Sequence, residues 1–140
     1  MFNPSWDEAR RFFIDVWNKI QAGAPLAGLE QTAAGVIVDH PEYHRTLSDP
    51  EHAIDRDYVP EQGEVNPFLH LSLHLAIEEQ LSIDQPPGIR AAFERLARRS
   101  GSPHDARHAI LECLAETIWQ AQRTGAPPDA AGYLQCIARR

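Results

Sequence analysis

The chain has 140 residues, 43% hydrophobic and 24% charged, with a formal net charge of −7. That length gives one domain with room for one core. The acidic total, with twelve arginines, one lysine and no long basic run, argues against nucleic acid or an anionic membrane surface as partner. No apolar run approaches the 18 residues a membrane-crossing helix needs, and the N-terminus lacks the charged-then-apolar pattern of a signal peptide. Cys113 and Cys136 fit no C-x-x-C pattern, so they are expected to be free thiols in a reducing compartment, the cytoplasm.

In chain order, a first helix is expected from Pro4 to Ala22, capped by Asn3, with Trp6, Phe13, Val16, Trp17 and Ile20 on its apolar face. Gly23 and Pro25 end it. A second runs from Leu26 to His40, with Leu29, Ala33, Val36, Ile37 and His40 on one face. Pro41 interrupts it, because proline strains a continuing helix, and one more turn carries His44 and Leu47. If helical direction is roughly kept there, His44 projects beside His40. A short helix from Asp49 to Arg56 and a polar loop from Asp57 to Val65 follow, with His52 expected at the surface.

The stretch NPFLHLSLHLAIEEQL from Asn66 to Leu81 carries the strongest signal. Asn66 is a good N-cap and Pro67 a good first helical residue. With His70 at zero on a helical wheel, His74 falls at about 40° and Glu78 at about 80°, inside the apolar stripe of Leu71, Leu75, Ile77 and Leu81. Burying three such groups costs several kcal/mol unless something pairs with them. This helix ends near Ile83, before the Pro86-Pro87-Gly88 break. An arginine-rich helix from Gly88 to Ser100 is expected to be a solvated face. A longer helix starts at Ser102-Pro103 and stops before Gly125, with Leu111, Leu114, Ala115, Ile118 and Trp119 as its apolar face. A final short helix runs from Asp129 to Ala138. No segment alternates with period two, so the expected fold is all-α: a single-domain bundle of five to six helices over residues 1–140.

Six of the seven histidines form i, i+4 pairs: His40/His44, His70/His74 and His104/His108. Random placement would give about 0.3 such pairs at this length. Two pairs extend as His-x-x-x-His-x-x-x-Glu, through Glu78 and Glu112. Side chains four apart lie one turn apart on one face, and two imidazoles so placed can share one metal ion. A carboxylate one turn further can bind the same ion, bridge to a second, or orient an imidazole. His40, His44, His70, His74, Glu78, His104, His108 and Glu112 are therefore the candidate metal ligands. Eight suit two ions, with open positions for water or substrate. Glu30 and Glu116 are expected to lie outside this set.

These spacings are similar to those of haemerythrin-like di-iron bundles. That resemblance implies two iron ions, non-haem redox or oxygen-related chemistry or sensing, and a small molecule such as dioxygen as partner. Zinc or manganese would suit the same ligands. His104-Asp105 also resembles the dipeptide of helical metal-dependent phosphohydrolases of the HD type, which makes a zinc or manganese hydrolase one alternative. A non-catalytic structural metal site is another. The segments HPEYH at 40–44, NPFLHLSLHLAIEEQLSIDQPPGIR at 66–90 and HDARHAILECLAETIWQAQR at 104–123 resemble a small bacterial family known only as a domain of unknown function. That resemblance supports the grouping of the histidines and implies no reaction.

Overall fold

A computed structural model describes residues 6–49 and 67–140. The expected caps Asn3 and Asn66, the short helix after Asp49, His52 and the loop to Val65 lie outside the described residues. Among the described residues there are seven α-helices, one 3-10 turn and no strand. The helices are α1 (Trp6–Ala22), α2 (Leu29–Val38), α3 (His44–Leu47), α4 (Pro67–Ile83), α5 (Ile89–Ser100), α6 (Pro103–Thr124) and α7 (Ala130–Ala138). The fold is all-α as expected, with one helix more than the five to six anticipated. The extra helix is the turn at His44, which Pro41 separates from α2. No described helix is long and apolar enough to cross a membrane.

The chain divides into two compact units, residues 1–75 and 76–140, with the boundary inside α4. In the first unit, Phe13, Val16 and Trp17 of α1 meet Ala33, Val36 and Ile37 of α2, Leu47 of α3, and Phe68, Leu71 and Leu75 of α4. The spacing 68, 71, 75 is one apolar stripe on a 3.6-residue helix. Each fully buried large side chain stabilises the fold by about 1.5–3 kcal/mol relative to exposure. Gly23, at φ 66°, reverses the chain after α1. The amides of Gly23 and Ala24 then donate to the carbonyls of Ile20 and Lys19, closing the helix end.

α2 starts three residues later than its apolar pattern suggests. The Gln31 side chain donates to the Leu26 carbonyl and the Ala27 amide donates to Glu30, which holds residues 26–28 outside the helix. Glu30 also pairs with Lys19 of α1. That hydrogen bond holds the Glu30 carboxyl below its usual range and the Lys19 ammonium above its own.

In the second unit, Ile77, Ile89, Leu96, Ala106, Ile110, Cys113, Leu114, Tyr133 and Ile137 are buried. The end of α4 is tied to the start of α5 by two side chains. Asp84, at φ 51°, accepts the Arg90 amide on its carboxylate, and the Arg90 guanidinium donates to the carbonyls of Leu81 and Ser82. The Arg90 amide holds the Asp84 carboxyl below the usual carboxylate range. Arg95 closes α7 in the same way, donating to the Ile137 carbonyl. Two arginines of the helix expected to be a solvated face thus satisfy helix-end carbonyls. Ser102 caps α6 by accepting the Asp105 amide, and Asp129 caps α7 by accepting the Gly132 amide.

Two expectations for this unit are corrected. Cys113 and Cys136 are not free thiols: they form a disulfide, with Cα atoms 5.8 Å apart. Packing of α7 on α6 sets that distance, which spacing along the chain does not reveal. With the two cysteines paired, free thiols no longer point to a cytoplasmic compartment. The buried face of α6 is also rotated from the one expected. Ile110, Cys113 and Leu114 face the core, while Trp119 is 51% exposed with Arg123 over its ring.

Candidate metal centre

The candidate centre in the first unit begins with a proline. In an unbroken helix the Ile37 carbonyl would accept the amide of residue 41, but that residue is Pro41 and has no N–H. α2 therefore ends at Val38, and the His40 amide donates to Ile37 rather than to Val36. The two carbonyls are completed by side chains. His40 Nδ1 lies 2.8 Å from the Val36 oxygen, and His44 Nε2 lies 2.8 Å from the Ile37 oxygen. A carbonyl only accepts, so His40 carries its proton on Nδ1 and His44 on Nε2. For neutral His40 that leaves the lone pair on Nε2.

The direction of α2 is not kept beyond His40, whose backbone sits at φ −126° and ψ 64°. The 3-10 turn Pro41–Tyr43 swings His44 against Trp17, with ring centroids 4.4 Å apart. Trp17 in turn donates to the Ser48 hydroxyl, which donates to the His44 carbonyl. His44 is thus part of the packing that ends α2 and starts α3, and lies outside the histidine cluster.

That cluster comprises His40, His70 and His74. One ring nitrogen of each lies within 4.8 Å of the others. The ring centroids are 4.4 Å apart for His40 and His74, 5.0 Å for His40 and His70, and 4.7 Å for His70 and His74. His40 and His74 are each 2% exposed, and His70 is half-buried. The Nε2 atoms of His70 and His74 are 3.1 Å apart. Two nitrogens bound to one ion at about 2.1 Å each, at angles between square and tetrahedral, would be about 3.0–3.4 Å apart. The observed separation fits a shared ion, and equally a hydrogen bond in which one ring donates to the other.

Tyr43 is the residue that sequence reasoning passed over. Its ring lies parallel to that of His40, with centroids 5.8 Å apart and planes 7° apart, and edge-on to His70 at 5.7 Å. Burial, with Glu42 nearby, pushes its phenol above the ordinary tyrosine value. The signal was its place inside HPEYH, between two histidines of the pattern.

The remaining candidates belong to the second unit. Glu78 is paired with Arg107, which also stacks over Phe93 with its guanidinium carbon 4.8 Å from the ring centre. Glu112 is paired with Arg140. His104 and His108 lie edge to face with centroids 4.3 Å apart, and His108 Nδ1 donates to the His104 carbonyl at 3.1 Å. His104 is exposed and His108 half-buried. Asp105, the second residue of the His-Asp dipeptide, is exposed in the first turn of α6. Gln80 of α4 accepts a 2.7 Å hydrogen bond from the Tyr133 hydroxyl.

A family model described as a domain of unknown function, DUF1841, matches residues 5–139, and the chain belongs to that family. No curated protein matches the chain, and no solved structure matches it.

Proposed function

We propose that this DUF1841 protein binds a transition-metal ion through His40, His70 and His74 and uses it in redox, oxygen-related or sensing chemistry. One observation carries the reading. Three imidazoles, two of them almost fully buried, bring ring nitrogens within 4.8 Å of one another beside an apolar core. Such a group is costly to bury unless its nitrogens are engaged. The His40–Val36 hydrogen bond supports the reading, because a ligating histidine commonly donates its other ring N–H to a carbonyl. Iron is the first metal to test, on the haemerythrin-like spacing. A dinuclear centre rests on the eight-residue sequence pattern alone.

A specific observation favours a second reading. Within this unit the cluster is all imidazole, and three histidines plus an open position is a ligand set of catalytic zinc, where a bound water is activated for hydrolysis.

The test is elemental analysis and optical spectroscopy of untagged protein, purified anaerobically, beside the His74→Ala variant. Iron in the parent, absent from a folded variant, with absorption in the near-ultraviolet or visible, is the expected result. Two iron ions per chain would extend it to a dinuclear centre. One colourless zinc ion would move the assignment to the hydrolytic or structural reading. A parent that holds no metal after reconstitution with iron, zinc and manganese would end the metal reading and leave the histidines as core hydrogen-bonding groups.

A further inference from the structure

We infer that Tyr43 is a positioning residue for metal binding, its ring fixing the imidazoles of His40 and His70 in the orientation that makes their nitrogens converge. The inference rests on the metal reading above and adds a determinant of affinity outside the ligand set. Its origin is local. Pro41 forces the 3-10 turn, the Tyr43 amide closes it on the His40 carbonyl at 3.0 Å, and that closure lays the phenol ring along the His40 imidazole. His40 is then held twice: its Nδ1–H by the Val36 carbonyl and one ring face by Tyr43. Against His70, only half-buried, the same phenol presents a T-shaped contact. One side chain thus restrains a ligand from the end of α2 and another from α4.

Restraint of this kind raises affinity because rings already in place lose less freedom when the ion arrives. Groups that orient ligands typically change metal affinity by about 10–100-fold when removed.

The experiment titrates Zn2+ into metal-free parent, Tyr43→Phe, Tyr43→Leu and Tyr43→Ala proteins against a chromophoric chelator, with circular dichroism to confirm folding. Tyr43→Phe keeps the ring and should bind within about twofold of the parent. Tyr43→Leu keeps apolar bulk without a flat face, and Tyr43→Ala keeps neither. Both should bind at least about tenfold more weakly. If Tyr43→Ala does not fold, Tyr43→Leu carries the comparison. Folded variants with parental affinity but a lower melting temperature would reduce Tyr43 to a structural residue and overturn the inference while leaving the metal reading intact. Equal losses in Tyr43→Phe and Tyr43→Leu would overturn it too, by making the hydroxyl the essential group. A parent that binds no Zn2+, Fe2+ or Mn2+ in direct titration would sink both readings.

Discussion

Replacing His44 with alanine should destabilise the protein and leave its metal in place, whereas replacing His74 should remove the metal. The two histidines look alike in the sequence, each one member of an i, i+4 pair. In the structure His44 gives its Nε2–H to the Ile37 carbonyl at 2.8 Å and its ring to Trp17 at 4.4 Å. The hydrogen bond contributes about 1 kcal/mol net. The larger penalty of an orphaned acceptor does not arise, because Ile37 also accepts the His40 amide. The ring contact contributes about 0.5–1.5 kcal/mol. Together, His44→Ala should cost about 1.5–2.5 kcal/mol. For a chain of this size that lowers the melting temperature by roughly 5–10 °C. Its metal content per chain should match that of the parent. His74→Ala should lose the metal, and a thermal-shift assay should show the parent, but not this variant, stabilised by added ion. Loss of metal from His44→Ala at an unchanged melting temperature, or retention of the ion by His74→Ala, would refute these roles.

Two further outcomes test the second unit. Opening the Cys113–Cys136 disulfide frees a loop closed across 23 residues, which by chain entropy costs about 3 kcal/mol. Urea unfolding with and without reductant, beside Cys136→Ser, should show that loss, and coincident curves would refute a stabilising cross-link. Burial pushes the Tyr133 hydroxyl well above its ordinary value. The folded protein therefore holds that proton more tightly than the unfolded chain, so the associated stability is complete at neutral pH and falls as pH rises beyond about 10. Tyr43 shifts in the same direction, so the reading is the difference between parent and Tyr133→Phe. The variant should lose about 1 kcal/mol at neutral pH with the bond to Gln80, and its alkaline limb should be shallower. Parallel pH profiles would refute the assignment.

Helix ends set by local chemistry were legible in the sequence. Ser102 and Asp129 cap the helices they were expected to open, Gly125 closes α6 at φ 71°, and the break at Pro86-Pro87-Gly88 lies where it was read. These signals need only neighbours within a few residues. What the sequence did not reveal depends on partners far along the chain. Glu78 lies on the wheel beside His74, yet Arg107, 29 residues away, takes its carboxylate. The cysteines meet because α7 packs on α6, and that same packing turns Cys113 rather than Trp119 inward. Two local features also differ from the expected ones: the start of α2, set by the Gln31 and Glu30 contacts, and the direction of the chain after His40. Proline was recognised as a break, but the identity of the donors replacing its missing N–H depends on where Trp17 and the carbonyls of α2 lie in space.

That replacement links folding to the proposed chemistry. A helix end can be completed by water, a hydroxyl or any cationic side chain. Here it is completed by two imidazoles, and a neutral imidazole that donates through one nitrogen must offer a lone pair on the other. Closing α2 through His40 Nδ1 therefore selects the tautomer with its lone pair on Nε2, before any ion is present. The α4 stripe of Phe68, Leu71 and Leu75 is fully buried in the first unit's core, which fixes the rotation of the helix that carries His70 and His74. Hydrophobic packing thus sets the direction of two rings, and a missing amide proton at Pro41 sets the chemistry of the third. Substituting Pro41 by alanine would restore a donor for Ile37 and remove the need for both side-chain caps. The cluster would then lose its third imidazole through a change that touches none of the three.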